Sequence, residues 1–234
     1  MDELKARYES VLRRIDNACT KSGRNPGDVT LIAVSKTKPV EMMRAFYAFG
    51  QRDFGENHVQ ELVAKEAVFP EAVYHMIGHL QTNKVKQVVG KAALIHSVDT
   101  VHLAEAVSKE SVKKGLTTEI LLEINAGNEA SKYGFSFEDA GSAALKIAAL
   151  PNLKIRGLMC VAPFVEDPEE NRAVFRKMRD LSVDIGAQNS DNITMNILSM
   201  GMSNDFAVAV EEGATHVRVG TALFGERDYG GLQK

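Results

Sequence analysis

LIAVSKTKP, residues 31–39, decides the fold: an apolar run of strand length passes straight into Lys36 and Lys38 and then into a proline. Read as an extended segment over 30–36, it places Ile32, Val34 and Lys36 on one face and Leu31, Ala33 and Ser35 on the other, because successive side chains alternate. Pro39 then suits the first turn of a helix. The stretch is thus a β-to-α junction, and the same junction recurs along the chain.

Seven more apolar runs follow: RDFGE (52–56), VYHMIG (73–78), LIHSV (94–98), EILLEIN (119–125), KIRGLMCV (154–161), ITMNILSM (193–200) and HVRVG (216–220). Helical patterns separate them at 39–50, 58–68, 82–91, 101–115, 136–150, 167–186 and 204–213, with Gly50, Gly115 and Gly213 at helix ends. An additional N-terminal helix precedes them, carrying Leu4, Tyr8, Val11, Leu12 and Ile15 on one stripe. Several strands are apolar on both faces, which predicts parallel strands covered by helices. Eight such units in 234 residues predict a closed (β/α)8 TIM barrel with an extra N-terminal helix, close to the usual length of ~250 residues. Periodicity does not report closure, so an open doubly wound sheet is the alternative. No linker or low-complexity tract divides the chain, and residues 1–234 read as one domain.

Bulk properties narrow the function. With 28 basic and 31 acidic residues the formal charge is −3, which gives no global attraction to nucleic acid or anionic membranes. No stretch approaches the ~18 apolar residues of a membrane span, and the first residues lack the apolar core of a secretory signal. Cys19 and Cys160 are too few and too far apart for a disulfide framework or metal spacing, and they read as free thiols in a reducing, cytoplasmic setting. His75 and His79 are four apart, but a strand and Gly78 intervene, so they are not a helical metal pair.

In a barrel, chemistry collects at the C-terminal ends of the strands, where Lys36 stands. An amine there, partly desolvated and near Lys38, is expected to have a depressed pKa and nucleophilic character suited to a Schiff base. A solvated strand-end lysine is the ordinary alternative. At the far end of the chain, SMGMSND (199–205) and HVRVGTALFG (216–225) follow the seventh strand and span the eighth, where barrels of this class commonly bind phosphate. Gly201 and Gly220 let backbone N–H groups approach an anion, and Ser203 and Thr221 add hydroxyl donors. Turn glycines with helix-capping hydroxyls are the plainer explanation of either loop alone. Arg218 shares a face with His216 and Gly220, and if inward it needs an acceptor: Glu123 of a neighbouring strand, or a ring nitrogen of a ligand. An imine-forming lysine, an anion cradle and an arginine between them describe pyridoxal 5′-phosphate (PLP).

Six segments in order, AVSKTKP (33–39), FGENHVQE (54–61), HMIGHLQTNK (75–84), IRGLM (155–159), LSMGMSNDF (198–206) and VRVGTALFG (217–225), resemble those of the YggS/PROSC family of PLP homeostasis proteins. The resemblance implies an alanine-racemase-like barrel with PLP held as a Schiff base on Lys36. It also implies phosphate contacts at Ser203, Gly220 and Thr221, Arg218 facing the pyridine nitrogen, and Asn57 lining the mouth. His79, after the third strand, is expected to line the same mouth, but it stands where the family often has proline and receives no role. Lys38, Lys84 and Lys86, near the strand ends, are candidate acceptors during transfer of PLP, while a solvated helix face is the plain reading of Lys84 and Lys86.

Arginine at a pyridine nitrogen disfavours the protonated ring that carbanion chemistry exploits. Alanine racemase has such an arginine and is catalytic, but it adds a second domain with a catalytic tyrosine. Here Tyr229 lies in the tail DYGGLQK, with no such domain expected. The resemblance therefore implies a non-catalytic carrier that supplies PLP to apo-enzymes, and without the racemase's dimerising domain a monomer is expected. The competing functions are a PLP-dependent racemase or lyase, a cofactor-free Schiff-base aldolase of phosphosugars, and a protein-interaction module.

Overall fold

The structure, a computed structural model, describes residues 2–127, 133–188 and 190–225. Eight strands among them form a closed parallel barrel in chain order: β1 (Thr30–Val34), β2 (Asp53–Glu56), β3 (Val73–Met76), β4 (Leu94–Val98), β5 (Thr118–Ile124), β6 (Leu153–Cys160), β7 (Ile193–Ser199) and β8 (His216–Val219). Closure comes from β8 pairing with β1, with Ile32 level with Arg218 and Ala33 level with Val219. The open-sheet alternative is therefore excluded.

The helices are α1 (Asp2–Lys21), α2 (Val40–Ala48), α3 (Val59–Val68), α4 (Val85–Val88), α5 (Val101–Lys114), α6 (Ala140–Ala148), α7 (Arg172–Gly186), α8 (Phe206–Glu211) and α9 (Thr221–Phe224). Pro39 caps α2 instead of occupying its first turn, and Gly115, in the left-handed conformation at φ 65°, ends α5. The pattern at 82–91 delivers less helix than it promises: a 3-10 turn (Thr82–Lys84) and the single turn of α4.

Alternation sorts the strand residues into two layers. On β5, Ile120 and Leu122 join the main core beneath the helices, while Leu121 turns inward to meet Leu94 and Met159. Apolar side chains alone do not fill the interior. His75, His96, Ser199 and Arg218 are all buried and hydrogen-bonded across it. The stripe on α1 buries Tyr8, Val11 and Ile15, and Tyr8 packs edge-on to Phe46 of α2. Arg24, just beyond α1, donates to the carbonyls of Val210 and Ala214 at the end of α8. Among the described residues no helix is long and apolar enough to cross a membrane, and Cys19 and Cys160 are buried free thiols. Tyr229 lies outside the described residues.

Candidate functional site

The strand expected to reach Lys36 stops at Val34, two residues short. Its continuation is diverted because the Ser35 carbonyl accepts both Lys38 N–H at 3.0 Å and Lys65 Nζ at 2.7 Å. Lys36 and Thr37 thus form the tip of a turn, and Thr37 sits at φ 62°, a left-handed conformation that a β-branched residue holds only under constraint. Glu61 supplies the constraint, its Oε1 accepting the Thr37 N–H at 2.7 Å. Beneath the turn, Glu56 Oε1 accepts from Ser35 Oγ at 2.6 Å and from Lys65 Nζ at 2.8 Å. Burial pushes the Glu56 carboxyl up, against the pull of Lys65 and Ser35, and its Oε2 has no hydrogen-bond partner. Lys36 is half-buried above this network.

Asn57, half-buried, follows β2 at the same end of the barrel. A Cβ on Gly78 would lie 2.3 Å from the Asn57 carbonyl oxygen, so glycine is what allows the loops after β2 and β3 to touch. Between them Asn57, Gln81 and Lys84 line a cavity of about 290 Å³. Lys86 points elsewhere, into a groove with Lys109 and Lys113. His79 is exposed, stacks on Tyr133 at 3.8 Å between ring centroids, and lies with Nδ1 3.0 Å from Asp99. It is remote in kind from His75, which is buried, and no metal-binding group of His, Cys, Asp or Glu occurs among the described residues.

The loops after β7 and β8 meet around Ser203. Gly201, at φ 90°, lies so close to α8 that a Cβ would sit 2.6 Å from the Ala209 Cβ, and its carbonyl accepts the Arg218 N–H at 3.1 Å. Asp205 fixes the loop from within, accepting Met202 N–H at 2.7 Å and Asn171 Nδ2 at 2.8 Å. Ser203 Oγ then accepts the N–H of Gly220 at 3.2 Å and that of Ala222 at 3.5 Å. Gly220 is half-buried and Thr221 exposed.

Arg218 is inward and buried, and Glu123, one of its two candidate acceptors, does not take its hydrogen bonds. Nη1 donates to Ser199 Oγ at 2.6 Å and Nη2 to the Cys160 carbonyl at 2.7 Å. These neutral acceptors sit on β7, next to β8, and on β6, one strand further round, whereas Glu123 on β5 acts through space. Burial opposes the charge on Arg218, while Cys160, Glu123 and Asp205 favour it. The Glu123 carboxyl is pushed up to about 7, chiefly by burial and then by Asp99, with Arg218 pulling the other way.

The alanine racemase N-terminal domain family matches residues 9–228. The pyridoxal phosphate homeostasis protein of Aquifex aeolicus is 44% identical over 225 residues, 95% of this chain and 98% of that one. The chain belongs to the pyridoxal phosphate homeostasis protein family. The solved structure of PipY from Synechococcus elongatus with PLP bound is 36% identical, with a TM-score of 0.78, and the match covers 91% of this chain and all of that one. An alanine racemase of Clostridium difficile shares the fold alone, at 13% identity and a TM-score of 0.74 over 98% of this chain and 57% of that one.

In this family member the residues singled out from sequence all stand at the C-terminal end of the barrel: Lys36 and Asn57 after β1 and β2, and Ser203, Gly220 and Thr221 after β7 and β8, with Arg218 inside. Sequence reasoning missed Glu56, Glu61, Lys65 and Ser199. An ionisable Glu56 at the end of the short strand RDFGE, with Glu61 and Lys65 four apart on the next helix, was the available signal for the first three. Ser199 leaves none, since a serine at a strand end has no pattern of its own.

Proposed function

We propose that the barrel, taken as one domain over residues 1–234, holds PLP for homeostasis of the cofactor, attached at Lys36, and supplies it to apo-enzymes without turning over a substrate itself. The observation that carries this is the cradle between the last two loops. A Cβ on Gly220 would meet nothing closer than Val34 at 3.5 Å, so protein packing does not demand glycine there. The position is instead kept open beside the N–H groups of Gly220 and Ala222, both aimed at Ser203 Oγ. Such converging donors suit a phosphate. The residues present therefore fit the group: Lys36 for its aldehyde, Arg218 for its ring nitrogen, and Ser203, Gly220 and Thr221 for its phosphate, with Asn57 beside the ring.

PLP, when bound, supplies an aldehyde that condenses reversibly with an amine. The chain's own part is to present that amine and hold the rest. The turn fixed by Lys65 and Glu61 presents Lys36; the depressed pKa expected of Lys36 belongs to this proposal. Arg218 keeps its proton and offers donors, so it holds the ring nitrogen without protonating it, an arrangement that by itself does not decide activity. Thr37, His79 and Thr221 are exposed, leaving the rim open to water, which suits holding and release better than protected catalysis. The names of the relatives support the same reading.

The loaded protein is expected to restore activity to a PLP-dependent apo-enzyme while leaving amino acids unconverted. Lys38→Ala or Lys84→Ala should slow that restoration if these lysines accept PLP on the way, and Lys86, turned away from the mouth, should not matter. Racemisation or elimination of an amino acid by the purified protein would contradict the carrier reading. A colourless protein trapped at Lys36 only by a sugar phosphate would replace it with an aldolase. We place the protein in the cytoplasm as a monomer, readings that gel filtration and cell fractionation test.

A further inference from the structure

The polar groups inside the barrel are joined end to end. Arg218 Nη1 lies 2.6 Å from Ser199 Oγ, and Ser199 Oγ lies 2.9 Å from His96 Nδ1, a contact that crosses the interior from β7 to β4. His96 Nε2 lies 3.0 Å from His75 Nδ1, and His75 Nε2 lies 3.0 Å from Asp53 Oδ1. Asp53 is the first residue of β2, at the mouth opposite Lys36, and its side chain is 28% exposed. The two histidines and the serine are buried.

With both histidines neutral, the ends of this chain fix its direction. A guanidinium only donates and a carboxylate only accepts. Ser199 Oγ therefore accepts a hydrogen bond from Arg218 Nη1 and donates its own to His96 Nδ1. That leaves the His96 proton on Nε2, pointing at His75 Nδ1, and the His75 proton on Nε2, pointing at Asp53. Every donor meets an acceptor, and each bond polarises the next in a low-dielectric interior. His216 packs edge-on to both imidazoles, with ring centroids 6.3 Å from each, and burial first, then His75, Arg218 and His216, disfavour charge on His96. The alternative, with His75 as an imidazolium, would turn the His96 Nδ1 donor toward Ser199 Oγ beside Arg218 Nη1, which takes away the acceptor for the Ser199 hydroxyl proton and buries a second positive charge in the same interior as Arg218.

We propose that Asp53, His75, His96 and Ser199 are positioning residues for Arg218: a proton-ordered chain that makes a carboxylate at the opposite mouth set the direction and strength with which the guanidinium engages a pyridine nitrogen. This rests on the reading of Arg218 given under the proposed function. It goes beyond that reading because none of the four residues touches the place assigned to PLP. A buried arginine without a carboxylate of its own is here connected to one through three neutral groups. The chain substitutes for a direct ion pair and leaves the remaining guanidinium donors for a ligand.

The test begins with cofactor-free protein, by ¹⁵N NMR of the histidines. Both His75 and His96 are expected to be neutral, with the proton on Nε2. Ser199→Ala, which removes one oxygen, should shift the Arg218 side-chain resonances and weaken PLP binding about tenfold, the usual scale for one hydrogen bond to a charged group. Ser199→Thr, which restores the hydroxyl, should recover the shift. Asp53→Asn keeps an acceptor and removes the charge, and should move Arg218 and the absorption maximum of the loaded protein in the same direction by less. Glu119→Gln, at the same end of the barrel but paired with Arg156, should change neither. A proton on Nδ1 of either histidine, or Arg218 resonances untouched by both Asp53→Asn and Ser199→Ala, would overturn the proposal while leaving PLP binding intact. Failure of the wild-type protein to bind PLP would instead overturn the functional reading and leave the NMR arm to decide the chain.

Discussion

At the scale of single residues, the interior carries a measurable cost at Glu123. Its carboxyl, ordinarily near 4.5, is pushed to about 7 in the folded protein. Below pH 4.5 it is protonated folded and unfolded, and stability is unaffected. Between 4.5 and about 7 the unfolded chain releases a proton that the barrel retains, so stability falls as pH rises, and above 7 the loss is complete. Allowing for its partial exposure, the loss is about 1–3 kcal/mol. Glu123→Gln is expected to stabilise the cofactor-free protein by that amount near pH 8 and to be neutral near pH 4, as read by urea denaturation at each pH. Arg218 shows what sequence did and did not disclose at this scale. Alternation in HVRVG put it on one face with His216 and Gly220, and the structure turns that face inward. Its acceptors were unreadable, because Ser199 and the Cys160 carbonyl become neighbours only through barrel register.

Elements bring a different kind of dependence, in which one strand end is held by the next helix. Lys65 of α3 ties the Ser35 carbonyl to Glu56, and Glu61 ties Thr37 to the same helix. Lys65→Met would leave Glu56 buried without its cation and is expected to cost about 3–5 kcal/mol in urea denaturation. It should also loosen the Lys36 turn. Glycines in the last two loops separate folding from binding. Gly201→Ala would force a Cβ against Ala209 at a positive φ, and should lose about 2 kcal/mol or more of stability. Gly220→Ala has room in the protein and should change stability by under about 1 kcal/mol, yet weaken PLP binding by about tenfold through its intrusion on the phosphate cradle. Strand existence and order were legible from apolar runs of strand length. Strand ends were less so: TLIAVSK continues the alternation to Lys36, but Lys65, thirty positions later, captures the carbonyl that would have extended the strand.

For the whole molecule, the rhythm of eight βα units made the barrel readable before closure was visible, and the β8-to-β1 pairing completes it. That closure gathers residues from opposite ends of the chain, Lys36 near one and Ser203, Arg218 and Gly220 near the other, at one rim. The polar chain inside was not legible, since His75 and His96 sit in runs that read only as buried strand and their partners are 21 to 103 positions away. The central claim is that this rim binds PLP through the amine of Lys36. Its most direct test is the visible absorption of purified protein mixed with PLP, before and after borohydride, for the wild type and Lys36→Ala, followed by mapping of the labelled peptide. The account predicts a yellow wild type, bleached with the label on Lys36, and a colourless variant. An unchanged visible band in Lys36→Ala, or a label on another lysine in the wild type, would contradict it.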